Sequence, residues 1–119
     1  MLLTDSIPFG FSTVAKTLLS GITEGPHGNL GTGERVFKGH ITNEGAVDVT
    51  VVLEGSPDDA GYGLVWTTRA TVTVKAGATG ILSGAIRGTE TNWRVRASSA
   101  SSNGNARLEI FDKSDNLRR

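Results

Sequence analysis

The feature that most constrains this sequence is the strict alternation of side chains through residues 64–75, LVWTTRATVTVK. One side of an extended chain would carry Leu64, Trp66, Thr68, Ala70, Val72 and Val74, and the other Val65, Thr67, Arg69, Thr71, Thr73 and Lys75. A period of two in mostly β-branched and aromatic residues is typical of a half-buried strand. Because one strand cannot bury its own apolar side, a facing layer must cover it. The segment therefore predicts a layered β-structure.

The same alternation recurs along the chain, with glycine-containing turns between the segments. It predicts strands at residues 34–42, 46–54, 80–87, 92–99 and 105–111. A further strand is predicted over residues 16–23, where the apolar spacing also fits a helix but threonines and Gly21 disfavour one. We expect residues 34–42 and 46–54 to form a hairpin across Asn43-Glu44-Gly45. Residues 64–75 should likewise pair with 80–87 across the Ala76–Gly80 turn. The result is an all-β, antiparallel β-sandwich of seven to eight strands.

Composition restricts the class of protein further. The 119 residues include 12 basic and 12 acidic side chains, so neither disorder driven by charge nor non-specific nucleic-acid binding is expected. There is no cysteine, which favours assembly in a reducing cytosol over secretion. The first residues lack the basic region of a signal peptide, and no apolar run is long enough to span a membrane. We therefore expect a single domain with no nucleic-acid or membrane partner.

The amino terminus is unusually apolar. Residues 1–11 are interpreted as an extended N-terminal arm, residues 12–112 as the sandwich and residues 113–119 as a polar tail. The arm carries Leu2, Leu3, Ile7, Phe9 and Phe11. Two alternatives remain open, because such residues can pack along the edge of their own domain or dock on a neighbouring subunit. The second alternative predicts that a chain without residues 1–11 still folds but does not assemble.

Several segments resemble immunoglobulin-like modules. They are Gly39–Gly45 with the valine strand that follows, Thr71–Ile81 and Trp93–Ala97, and the likeness extends over residues 35–111. It implies an immunoglobulin-like sandwich, although both cysteines of antibody domains are missing and Trp66 and Trp93 are placed differently.

In overall character the chain resembles bacteriophage virion proteins, especially capsid decoration (cement) proteins. It shares with them small size, absence of cysteine, a Gly/Thr/Ser/Ala/Val-rich sandwich and an apolar amino terminus. The resemblance implies a non-enzymatic protein that bridges capsid subunits in a virion assembled in the host cytoplasm. Its partners would be the major capsid protein or other virion proteins, and it would be a homo-oligomer or lattice-bound. A neck, tail or baseplate adaptor is the alternative within the same class.

Residues with reactive side chains do not form a recognisable motif. His27 and His40 have no carboxylate at a metal-ligand spacing, and the Asp58-Asp59 pair is typical of a turn. No nucleophile elbow occurs, and a thiol nucleophile is impossible without cysteine. We therefore predict no enzymatic activity, no cofactor and no metal.

Two arginines share one face of a predicted strand and are candidates for partner binding. Arg94 and Arg96 either form cross-strand ion pairs with Asp48, Glu54 or Glu109, or grip carboxylates of a partner. The predicted partner-binding set is Leu2, Leu3, Ile7, Phe9, Phe11, Arg94 and Arg96. A rival hypothesis is a carbohydrate- or surface-binding module in which an aromatic ring stacks on a sugar, with Tyr62, Trp66 and Trp93 as candidates.

Overall fold

A computed structural model describes residues 2–22, 35–57, 65–87, 90 and 92–112. The described residues form eight β-strands. They are β1 (Leu2–Gly10), β2 (Lys16–Ile22), β3 (Arg35–Asn43), β4 (Val49–Ser56), β5 (Thr67–Val74), β6 (Thr79–Ile86), β7 (Asn92–Ser99) and β8 (Asn105–Asp112). Over these ranges there is no helix with the length and apolar character needed to cross a membrane.

The strands form two four-stranded antiparallel sheets that face each other across one core. One sheet has the order β1-β8-β3-β6 and the other β2-β7-β4-β5. This is the strand order of a jelly roll, in which the chain crosses repeatedly between the two layers. The prediction of an all-β antiparallel sandwich is confirmed, with eight strands.

The predicted pairing of neighbouring strands is wrong in two places. The expected hairpin partners β3 and β4 lie in opposite sheets, since β3 pairs with β6 and β8 while β4 pairs with β5 and β7. The expected partners β5 and β6 also face each other across the core. In an immunoglobulin sandwich, with the strands lettered in chain order, the two sheets have the strand orders ABED and CFG. The two sheets of this protein are ordered differently, so it does not have the immunoglobulin connectivity. Alternation identifies the buried side of a strand but carries no information about which strand hydrogen-bonds to it.

The amino-terminal segment is an edge strand of its own sandwich and not a projecting arm. Strand β1 pairs with β8, with Ile7 opposite Leu108 and Phe9 opposite Ala106, although the register shifts twice before Ile7. Phe9 and Phe11 are buried in the core. The first of the two alternatives therefore applies, because β8 needs a partner for its outer backbone groups and the phenyl rings need the core.

Both sheets contribute to the core. The largest fully buried apolar side chains include Phe37, Ile41, Leu82, Ile86, Leu108 and Ile110 from one sheet and Val49, Val51, Leu53 and Val95 from the other. Trp93 lies against Phe37, with ring centroids 4.9 Å apart. Strand β2 passes close over this tryptophan, since a Cβ on Gly21 would come within 2.6 Å of its ring. Glycine at position 21 is therefore required by packing.

A buried asparagine fastens the loop between β3 and β4. Asn43 is 1% exposed, and its Nδ2 donates hydrogen bonds to the carbonyl oxygens of Val47, at 2.8 Å, and Val74, at 3.0 Å. Its Oδ1 accepts a hydrogen bond from the Gly45 backbone N–H at 2.8 Å. One side chain thus satisfies three backbone groups and ties the crossing loop to the end of β5.

Replacing this asparagine should therefore be costly. We expect Asn43→Ala to lower the free energy of unfolding by about 3 kcal/mol, because an unsatisfied buried polar group costs about 1 to 3 kcal/mol and several lose their partner. Urea denaturation followed by tryptophan fluorescence measures the change. The exposed Asn103 provides the control, since Asn103→Ala should change stability by less than about 0.5 kcal/mol. Equal effects of the two substitutions would contradict the role assigned to Asn43.

Candidate functional site

The outer face of the β2-β7-β4-β5 sheet carries a group of four residues, Glu54, Trp66, Arg94 and Arg96, here termed the arginine cluster. On β7 the side chains of Trp93, Val95 and Ala97 are buried in the core, so the residues between them point outward. Strand β4 places Glu54 directly opposite Arg94. Trp66 immediately precedes β5, whose Thr68 also lies opposite Glu54. The neighbouring strands β7 and β4, together with the residue that precedes β5, therefore bring the cluster together.

The cluster is held by charge and by stacking. Arg94 Nε donates a 2.6 Å hydrogen bond to Glu54 Oε1, and its guanidinium lies 3.9 Å from the centroid of the Trp66 ring. Arg96 Nη1 is 3.8 Å from the same carboxylate oxygen, and Nη2 donates to the Ala15 carbonyl oxygen at 3.2 Å. The Glu54 side chain is only 13% exposed. Because two guanidinium groups surround one carboxylate, the cluster has an excess of positive charge. The stacking of Arg94 on the Trp66 ring helps to hold these side chains in place.

The cross-strand ion pair with Glu54, one of the two alternatives for the arginines, is present. The structure separates the remaining members of the predicted partner-binding set from this cluster. Phe9 and Phe11 belong to the core, and Ile7 is half-buried against it. Leu2 and Leu3 lie on β1, in the other sheet. The set is therefore not one contiguous surface.

A second ion pair lies where β5 bulges. Arg69 is the extra residue between the pairs Leu53–Ala70 and Glu54–Thr68, and the bulge turns its side chain toward Glu90. Arg69 Nη2 lies 2.6 Å from Glu90 Oε2, and Arg69 Nε donates to both carboxylate oxygens at 2.9 and 3.0 Å. The Arg87 backbone N–H adds a 3.0 Å hydrogen bond to Glu90 Oε1. Glu90, only 4% exposed, is thus fully engaged.

Burial alone would raise the pKa of Glu90, but the hydrogen bonds from Arg69 and Arg87 and their positive charges outweigh it. The pKa of Glu90 therefore lies below its usual value. The hydrogen bond to Glu90 likewise raises the pKa of Arg69. Sequence reasoning missed this pair, because Glu90 sits in a Gly-Thr-Glu-Thr segment that has the composition of an ordinary loop.

The outer face of the β1-β8-β3-β6 sheet carries charged, aromatic and aliphatic side chains together. His40 Nδ1 lies 3.8 Å from Glu109 Oε1, and the His40 and Phe111 rings meet edge-on with centroids 6.1 Å apart. Beside His40 on β6 lies Ile81, which is 54% exposed. Within the described ranges no three His, Asp or Glu side chains come together as a metal site would require. His27 and the Asp58-Asp59 pair, considered as ligands from the sequence, lie outside those ranges.

No protein-family model matches the sequence, and no curated protein shows significant similarity to it. Solved structures do share the fold. The crystal structure of PirA superposes with a TM-score of 0.59 and 16% identity, covering 92% of this chain and 94% of that one. The CBM22-1 xylan-binding domain of Paenibacillus barcinonensis Xyn10C gives 0.53 and 11%, covering 90% and 71%.

A chain of the T13 IBDV viral particle gives a TM-score of 0.53 and 14% identity, covering 92% of this chain and 29% of that one. At these identities the likenesses show the fold alone. The fold is thus one that a viral particle and a xylan-binding domain both contain.

Proposed function

We propose that this chain is a non-enzymatic structural protein of a bacteriophage particle, a decoration protein that binds the capsid and bridges its subunits. The observation that carries the proposal is the jelly-roll strand order, an architecture of viral capsid domains. The match to the viral-particle chain covers 92% of this protein and 29% of that chain, and it supports a sandwich fold of a kind that a viral particle contains. Such a protein acts through its surfaces and edges.

The dimensions of the molecule support this role. Its Cα atoms extend over 44 × 36 × 17 Å, so the molecule is a thin slab with two broad faces and separate edges. Val14, 72% exposed, precedes β2 at one end of its sheet, and Val65, 69% exposed, precedes β5 at the other. A single exposed aliphatic side chain is ordinary on a protein surface. Two of them at opposite edges of the sheet would give a protein that bridges two capsid subunits one apolar contact with each subunit. In this proposal Val14 and Val65 are the apolar residues that contact the capsid, because Phe9 and Phe11 are buried in the core.

The test is binding to capsids assembled from the major capsid protein of the same virus. We expect saturable binding at a fixed ratio to capsid subunits and a higher capsid melting temperature, because each bound molecule buries surface across a seam. Val14→Glu and Val65→Glu should each weaken binding at least tenfold, whereas Thr73→Glu, on an exposed position of β5, should not. Absence of saturable binding by the folded wild-type protein would overturn the proposal.

A second candidate function, carbohydrate binding, is favoured by the arginine cluster, since an aromatic ring beside arginine and glutamate suits a sugar. Trp93 is excluded as the stacking residue because it is 5% exposed, and Tyr62 lies outside the described residues. Trp66 remains, but it is half-buried and carries the Arg94 guanidinium on its ring. A blue shift of tryptophan emission on addition of oligosaccharides, lost in Trp66→Ala, would support this candidate; an unchanged spectrum would argue against it.

A further inference from the structure

We propose that the free edge of β6 pairs antiparallel with β6 of a second copy of this chain. The two β1-β8-β3-β6 sheets would then join into one continuous eight-stranded sheet. β6 is the last strand in its sheet order, so one side of its backbone has no strand partner among the described residues. Backbone groups on such an edge are a template for another strand.

Comparison of the four sheet edges singles out β6. Strand β1 contains Pro8 and two register shifts, and β2 has one register shift and begins with the exposed Lys16. Strand β5 is interrupted by the bulge at Arg69. Bulges, prolines and charges are the devices that protect edges from pairing. β6 has none of them: all eight of its residues pair with β3 in unbroken register, and none is charged or proline.

Strand β6 is also held rigidly in an extended form. β3 pairs with it on one side, and β5 packs on its inner face so closely that a Cβ on Gly80 would lie 2.6 Å from Val74 Cγ2. A Cβ on Gly84 would similarly lie 2.7 Å from the Ala70 Cβ. Because the edge is already ordered, pairing costs little further conformational entropy.

A second copy of this chain fits the charge pattern of the edge, because an uncharged strand needs no complementary charge on its partner. Residues 76–86 carry no charge, and Lys75 and Arg87 flank them. In an antiparallel pair centred on Leu82, Arg87 of one copy lies opposite Gly77 of the other, so no two like charges are directly opposite. Lys75 and Arg87 of different copies are diagonal neighbours only beyond the two ends of the paired strands. Ile81 lies opposite Ser83 of the second copy on the outer face, which covers part of its 54% exposed side chain. A twofold pairing of this kind closes on itself and gives a dimer.

Sedimentation velocity of the full chain over a wide concentration range tests the association itself. We expect a dimer that dissociates on dilution, with Ser83→Lys weakening it at least tenfold, because an edge lysine opposes pairing. Thr73→Lys, the matched change on the β5 edge, should leave the dissociation constant unchanged. Urea unfolding of each variant confirms that both are folded.

Cysteine cross-linking tests the register. Because the chain has no cysteine of its own, the double variant Ile81→Cys with Ser83→Cys should oxidise to a covalent dimer. The β5 counterpart, Thr71→Cys with Thr73→Cys, should stay uncross-linked between copies. A wild-type chain that is monomeric at every concentration, or cross-linking equally efficient on β5, would overturn the inference. Neither result bears on capsid binding, which is measured separately.

Discussion

Glu90→Gln is expected to lower the free energy of unfolding by about 3 kcal/mol, since removing one partner of a buried ion pair costs about 3 to 5 kcal/mol. The lower end applies because the Arg69 side chain is 23% exposed and can recover some hydration. The neutral amide can accept a hydrogen bond but keeps neither the charge nor both carboxylate oxygens that Arg69 and Arg87 contact. Chemical denaturation at pH 7 gives the value.

Two further variants make this measurement specific. Glu44→Gln is the matched control, because Glu44 is 45% exposed and 3.8 Å from Arg107, and it should cost less than about 0.5 kcal/mol. Arg69→Met combined with Glu90→Leu should recover much of the loss, since it removes both buried charges together. If Glu90→Gln proved no worse than Glu44→Gln, the pair would not contribute as described.

The same pair predicts a dependence on pH. The pKa of Glu90 is lower in the folded protein than in the unfolded chain, so the unfolded chain takes up the proton first as the pH falls. The stabilisation is complete above the ordinary pKa of a glutamate, about 4.3, and is lost as the pH falls through the lower folded value. The stability difference between wild type and Glu90→Gln should therefore be constant near neutral pH and shrink in acid. A difference that grows in acid would contradict the assignment.

The positions of the strands could be predicted because alternation is a local property. The segment 92–99 coincides with β7, and the Ala76-Gly77 turn forms with Gly77 at a φ of 75° and a 2.9 Å hydrogen bond from Ala78 N–H to the Lys75 carbonyl oxygen. The pairing of strands could not be predicted in this way. A short turn such as Asn43–Val47 can close a hairpin or cross to the opposite sheet, and the buried Asn43 side chain that fixes the crossing looks like any turn asparagine in the sequence.

The candidate site was predictable only in part, for the same reason. Arg94 and Arg96 share a face by local alternation, and Glu54 was one of three carboxylates considered as their partner. Which carboxylate they meet depends on β4 and β7 being neighbours, with Glu54 opposite Arg94. The Arg69–Glu90 pair depends on a β-bulge, which adds one residue to β5. This bulge has no characteristic sequence from which it could be predicted. Apolar residues near a terminus likewise give no sign of whether they leave the domain or complete it.

Deletion of residues 1–11 should therefore abolish cooperative folding, in contrast to the expectation for a docking arm. The deletion removes β1, exposes the edge of β8, and takes Phe9 and Phe11 out of the core. Loss of a buried phenyl ring costs about 3 to 5 kcal/mol, and a whole domain is stable by only about 5 to 15 kcal/mol. Two rings and a strand together exceed most of that margin. Far-ultraviolet circular dichroism and a thermal melt would show the loss.

Single substitutions distinguish the contribution of the phenyl rings to stability from that of strand β1. Phe11→Ala should lower the free energy of unfolding by at least about 3 kcal/mol, because replacing a large buried side chain by a small one leaves a cavity. The Phe11 ring is closely packed, since a Cβ added to Gly45 would lie 2.5 Å from it. Pro8→Ala, at an exposed position of β1, should change stability by less than about 1 kcal/mol. If the deleted chain still melted cooperatively, the sandwich would close without β1. The amino-terminal segment would then again be available to bind a neighbouring subunit, and its loss would have to be measured on capsids instead.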